Sequence, residues 1–120
     1  VTIWRKLLGR RGEDAAARYL EENGYRILCR NYRCQSGEID LVALDNDTLV
    51  FVEVRSRSCD RYGTAQESVT GRKQIKLRKL AWQYLKAAGK TGCGCRFDVI
   101  AIMFDRESKV KNLEHIENAF

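Results

Sequence analysis

Apolar and polar residues follow two rhythms along this chain, and the places where the rhythm changes mark its elements. In residues 12–25, GEDAAARYLEENGY, the apolar residues Ala16, Ala17 and Leu20 recur at helical spacing, and Gly24 stands where a helix closes in left-handed backbone. The preceding VTIWRKLLGRR reads as a basic lead-in with a few apolar anchors. YRILCRNYRC predicts a strand, and EIDLVAL and TLVFVEVRSR predict two more, joined at Asp45-Asn46-Asp47. RSCDRYGTAQESV is polar and predicts a loop. From Thr70 to Ala88 a second helix shows a 3.6-residue stripe through Leu77, Leu80, Ala81, Tyr84, Leu85 and Ala88. CRFDVIAIMF is apolar almost throughout, as in a strand covered on both faces, and KVKNLEHIENAF predicts an edge strand. The order is helix, three strands, helix, one or two strands. A meander followed by a helical crossover onto the same sheet satisfies it, so residues 1–120 form one α/β domain with a mixed central sheet of four to five strands flanked by helices.

Two of these strands carry acids in their middles. Asp40 lies in EIDLV and Glu53 in FVEVR, surrounded by Ile39, Leu41, Val42, Val50, Phe51, Val52 and Val54. Alternation puts Glu38 and Asp40 on one face of their strand, and Glu53, Arg55 and Arg57 on one face of theirs. A hairpin folded at Asn46-Asp47 pairs residues whose numbers sum to 93. Asp40 then opposes Glu53, and Glu38 opposes Arg55. Like charges about 5 Å apart repel unless a cation lies between them, and hard oxygen ligands suit magnesium or manganese. The other reading is a solvated outer face, with Glu38–Arg55 and Glu53–Arg57 as surface salt bridges worth little. Glu13 falls in line with Ala16, Ala17 and Leu20, on the helix face that should meet the sheet. Taken alone, it is also what the positive end of a helix favours in a first turn. Convergence of three acids favours the cation.

Length and composition narrow the classes. At 120 residues, 44% hydrophobic and 32% charged, the chain can bury one core without disulfide or metal staples. A formal net charge of +6 favours an anionic partner, nucleic acid before acidic lipid. No apolar run has the length of a signal peptide or membrane span, so the five cysteines are expected to be reduced thiols in the cytoplasm. The CGC at 93–95 lacks the partner spacing of a zinc site. The single histidine, His115, makes Ser-His-Asp and Cys-His mechanisms improbable.

Asp40, followed after a turn by Glu53-Val54-Arg55, resembles the PD-(D/E)XK nuclease signature, with Arg55 at the motif's lysine position. GEDAAARYLEENGYRIL, RNYRCQSGEIDLVAL, FVEVRSR, YG, VTGRKQIKL, RFDVIAI and HIENAF together resemble the YraN-like family (uncharacterised protein family 0102), which is similar to Holliday-junction resolvases. The resemblance implies a restriction-endonuclease-like core. It also implies a magnesium- or manganese-dependent, structure-selective DNA endonuclease acting on branched DNA, and its likeness to resolvases implies a homodimer. In that reading Asp40 and Glu53 bind the metal, and Glu13 and Arg55 complete the catalytic set. Arginine does not surrender its proton, so Arg55 serves as a charge on phosphate and not as a general base. It also leaves open a non-catalytic nucleic-acid-binding module that retains the fold. Arg72, Lys73 and Lys76 on the second helix are candidate phosphate contacts. Lys73 lies on the apolar line through Leu77 and Leu80 and points either to the site or, snorkelling, to water. Trp4, Tyr62 and Trp82 are expected to pack rather than stack on bases.

Overall fold

The computed structural model describes residues 2–58 and 70–120, with side chains from Leu7 onward. Residues 59–69 of the expected loop, with Tyr62 and Cys59, and the side chain of Trp4 lie outside the described residues, while Arg57 and Ser58 are strand and not loop. Helix α1 (Thr2–Glu22) leads into strands β1 (Arg26–Cys34), β2 (Gly37–Asp45) and β3 (Thr48–Ser58). Helix α2 (Gly71–Ala87), β4 (Cys95–Phe104) and β5 (Val110–Ile116) complete the chain. The five strands lie in sequence order, antiparallel except for the β3–β4 pair, which is parallel. The meander, the crossover through α2 and the edge strand all stand as the apolar pattern predicts.

One element differs from expectation. The lead-in is helical, so α1 starts about ten residues early and Glu13 sits in mid-helix. A first-turn, helix-dipole role for Glu13 is therefore ruled out. Lysine, leucine and arginine favour helix strongly enough to absorb two glycines. Gly12 has a packing reason, because a Cβ there would run into Ser56 on β3. Its absence lets the helix lie close to the strand that carries Glu53. The other end of α1 closes as predicted. Gly24 takes φ 86, its N–H donates to Glu21 O and that of Tyr25 to Leu20 O, a Schellman cap with Tyr25 and Leu20 in the same core cluster.

The sheet separates two apolar layers. Ala16, Ala17 and Leu20 of α1 pack on Leu41, Val50, Val52, Ile100 and Ile102. On the other side Leu77, Leu80, Ala81 and Leu85 of α2 pack on Ile39, Val42, Phe51, Phe97 and Val99. Adjacent residues of a regular strand serve opposite layers. Leu41 and Ala43 obey this against Val42, but Ile39 joins the α2 layer although Leu41 belongs to the α1 layer. The alternation breaks at Asp40.

Candidate functional site

The break at Asp40 coincides with a fork in the sheet. The β2–β3 ladder runs from Asp45↔Thr48 to Leu41↔Val52 with the expected sum, turning at Asn46 with φ 54, and goes no further. Beyond it β2 stays with β1 through Ile39↔Tyr32 and Glu38↔Arg33, while β3 stays with β4 from Glu53↔Val99 to Ser58↔Phe104. Asp40 and Glu53 are therefore not ladder partners, as the extrapolated register expects, but flank the opening. The Asp40 carboxylate takes the place of a backbone acceptor, receiving the Val54 N–H at 2.8 Å. Glu38, expected opposite Arg55, is held by its β1 partner Arg33 at 3.1 Å.

Both helices reach this fork. From α1, Glu13 joins Glu38 and Asp40, with one carboxylate oxygen of each within 4.8 Å of the others. From α2, Lys73 Nζ comes to 3.1 Å from Glu53 Oε2, so the half-exposed Lys73 side chain brings its ammonium to the site. Its position follows from the start of the helix. Thr70 caps α2 by accepting the Lys73 N–H at 3.2 Å, which fixes the first turn beside β3. The lysine contact is one of charge without hydrogen-bond geometry, and Glu53 Oε2 is buried with no hydrogen bond among the described residues. Arg55 lies two residues on, on the Glu53 side of β3. The Lys76 stem crosses the β1–β2 turn, where it would abut a Cβ on Gly37, and Arg72 is exposed.

Electrostatic strain is concentrated on Asp40. Burial pushes its carboxyl up to about 7, and the neighbouring charges of Glu53 and Glu13 push the same way against the Val54 N–H. The site thus gathers carboxylates that repel one another around Asp40 and holds a Glu53 oxygen buried without a hydrogen bond among the described residues. A hard divalent cation would relieve both conditions. Beside it, Gly9, Arg10, Glu13, Asn31, Arg33 and Glu38 line a cleft of about 390 Å³. Glu38 is the member that sequence reasoning left out of the site, although its shared strand face with Asp40 was the available signal. Arg10 and Arg33 gave no such signal.

A second acid is buried in the same sheet. Asp98, fully inaccessible on β4, accepts hydrogen bonds from Arg96 Nε and Nη2 at 2.9 Å each, from the Asn118 N–H at 3.1 Å, and pairs with His115 Nε2 at 2.7 Å. Burial alone would raise its pKa, but the bonds from His115, Arg96 and Asn118 outweigh burial and hold it below the ordinary carboxylate value. Arg96 also reaches Asp45 at 3.1 Å and the Tyr25 hydroxyl at 2.7 Å, and Tyr19 meets His115 Nδ1 at 3.1 Å. Asp98, His115 and Glu117 have the spacing of a metal trio, yet Arg96 already supplies the positive charge. This is a clasp joining α1, β4 and the residues after β5. The acid inside the apolar run RFDVIAI, with Arg96 two residues before it on the same face, was the available signal, and sequence reasoning passed over it.

A five-stranded mixed sheet with a helix on each face, three antiparallel strands entering it through a meander, defines an α/β protein with a restriction-endonuclease-like core. The chain belongs to the uncharacterised protein family UPF0102, whose profile matches residues 12–102 and so includes the whole fork. It is similar to the UPF0102 protein of Pelotomaculum thermopropionicum, 69% identical over 116 residues and 97% of each chain. It is also similar to that of Moorella thermoacetica, 52% identical over the full length of both, and that of Desulforamulus reducens, 48% identical over 99% of each. Among the described residues no helix is long and apolar enough to cross a membrane.

Proposed function

We propose that this chain is a magnesium- or manganese-dependent, structure-selective DNA endonuclease of the resolvase type. The observation that carries the reading is the forked site, in which Glu13, Glu38 and Asp40 gather beside Glu53, with Lys73 against Glu53 and Arg33 against Glu38. Asp40 and Glu53, with Glu13 and Glu38 around them, would hold the cation. Once bound, it supplies Lewis acidity to a water and charge neutralisation to the leaving oxygen. The protein's own groups do the rest. Arg55, always protonated, stabilises charge on the phosphate but accepts no proton. Lys73 brings from α2 the ammonium that the motif's strand position lacks. Arg10 and Arg33 line the adjoining cleft, where guanidinium groups suit neighbouring phosphates. The positive end of α2 carries Arg72, Lys73 and Lys76 and no acid, an arrangement the helix dipole disfavours and an anionic partner offsets.

Arg55 also favours a second reading, a binding module without turnover, and one experiment separates the two. Four-way junction and flap DNA are incubated with the purified protein in magnesium or manganese. Cleavage should require the ion and disappear in Glu53→Gln while binding survives, and Arg55→Lys should speed it. If neither the native protein nor Arg55→Lys cuts any of these substrates, the enzyme reading falls and the binding module takes its place.

A further inference from the structure

Helix α2 shows solvent a second feature that the acidic site does not use. Trp82 was expected to pack, but it is 51% exposed, and Ile75, one heptad before it on the same side, is 62% exposed. The physical reason is the stripe itself. Leu77, Leu80, Ala81 and Leu85 fill the sheet-facing side, and position 82 falls about 120° from their centre, outside the buried stripe. Lys73, Lys76, Lys79 and Trp82 recur every third residue. They therefore form one oblique ridge of the helix surface, winding from the sheet side to the solvent side. The first member of that ridge touches Glu53, and the last carries an open indole with the Lys86 ammonium 5.7 Å from its ring centroid. Over the nine residues from Lys73 to Trp82 the helix rises about 13 Å, the length of about four stacked nucleotides at about 3.4 Å each.

We propose that this ridge is a track for an unpaired nucleic-acid strand leaving the forked site, with its phosphates on Lys76 and Lys79 and a base stacked on Trp82. Charge selects this occupant. The helix bears six basic residues, Arg72, Lys73, Lys76, Arg78, Lys79 and Lys86, and no acid, so a second copy docked through the same face would set cation against cation. A polynucleotide meets both parts of the ridge. Its backbone matches the lysines, and every base offers a π-face to the indole whatever the sequence. Arg78 takes no part, because its guanidinium lies over Phe97 and Phe120 at 4.9 and 5.6 Å from their centroids. The inference rests on the nucleic-acid reading of the site but not on turnover.

The test is binding in EDTA, where no cleavage intervenes. Duplex DNA bearing a one- or six-nucleotide thymidylate overhang is titrated against native protein, Trp82→Ala, Trp82→Phe and Lys79→Ala. Trp82→Ala should weaken binding to the six-nucleotide overhang about tenfold, leave the one-nucleotide substrate unchanged and keep the salt slope. Phenylalanine should recover most of the loss. Lys79→Ala should lower the log–log salt slope by about 0.7, the share of one phosphate on a single strand. In a Trp4→Phe background, indole emission should be quenched by the long overhang alone. Equal affinity of native and Trp82→Ala protein for the long overhang overturns the proposal, as does an equal loss on both substrates. So does a Trp82→Ala effect confined to self-association or to phosphatidylserine vesicles. If overhang discrimination survives while metal binding and cleavage fail, the track stands and only the nuclease reading is lost. The reverse result removes the track alone.

Discussion

Asp40 and Asp98 are the same residue type, both embedded in the central sheet and both flanked by apolar neighbours, yet their surroundings drive them apart. Asp98 has an arginine fork, a histidine and a backbone N–H, and its carboxyl is held below the ordinary range. Among the described residues Asp40 has one backbone N–H and two negative neighbours, and is pushed up to about 7. The first arrangement is complete within the chain. The second is incomplete among the described residues, and partial burial weakens what water can add. A buried acid whose charge the protein itself matches holds the fold together. One whose charge is unmatched among the described residues, beside other acids, is where the proposed cation would bind.

The largest test of this contrast is mutational. Asp98→Ala strands Arg96 and should cost about 3–5 kcal/mol. Asp40→Asn, in EDTA at pH 8, removes a repelling charge and should gain about 1–2 kcal/mol. Urea unfolding at unchanged m-value measures both. A comparable loss in the two variants would show that Asp40 is structural as well.

Acidity gives the next effect, of opposite sign at the two sites. Asp98 is lowered, so its contribution is complete above its unfolded pKa and is lost as pH falls through the folded value. Asp40 is raised, so its contribution is complete below the unfolded pKa and is lost as pH rises through about 7. Metal-free protein should therefore be most stable in mildly acidic solution and lose about 2 kcal/mol between pH 5 and 8. Asp40→Asn should flatten that alkaline limb and keep the acid one. An alkaline limb that persists in the variant would trace it to some other group.

The smallest expected effect is that of the ion. Magnesium at ten times its dissociation constant should stabilise the folded chain by about 1.4 kcal/mol. The thermal shift should vanish in Asp40→Asn, shrink in Glu13→Gln and Glu38→Gln, and persist in His115→Gln, which touches only the clasp. A shift that survives Asp40→Asn would place the ion elsewhere.

What the sequence by itself determined is short-range. The apolar period separates helix from strand, glycine and Asn-Asp mark the ends of elements, and a two-residue turn sets the register of the five pairs nearest to it. These depend on dihedral preferences and side-chain spacing within about one turn of chain. The same local logic found Glu13, Asp40 and Glu53, because acids inside apolar strands or on an apolar helix face break the pattern. Only the tertiary structure decided the remainder. Whether β2 and β3 stay paired past Leu41↔Val52 depends on β1 and β4 drawing them apart, a competition that no window of sequence contains. Lys73 on Glu53, Glu38 beside Glu13 and Trp82 in solvent all follow from how each helix is rotated about its axis on the sheet. The Asp98 clasp joins residues up to 96 positions apart. Local pattern shows that an acid is out of place. Three-dimensional packing decides whether its counter-charge comes from the chain or from outside it.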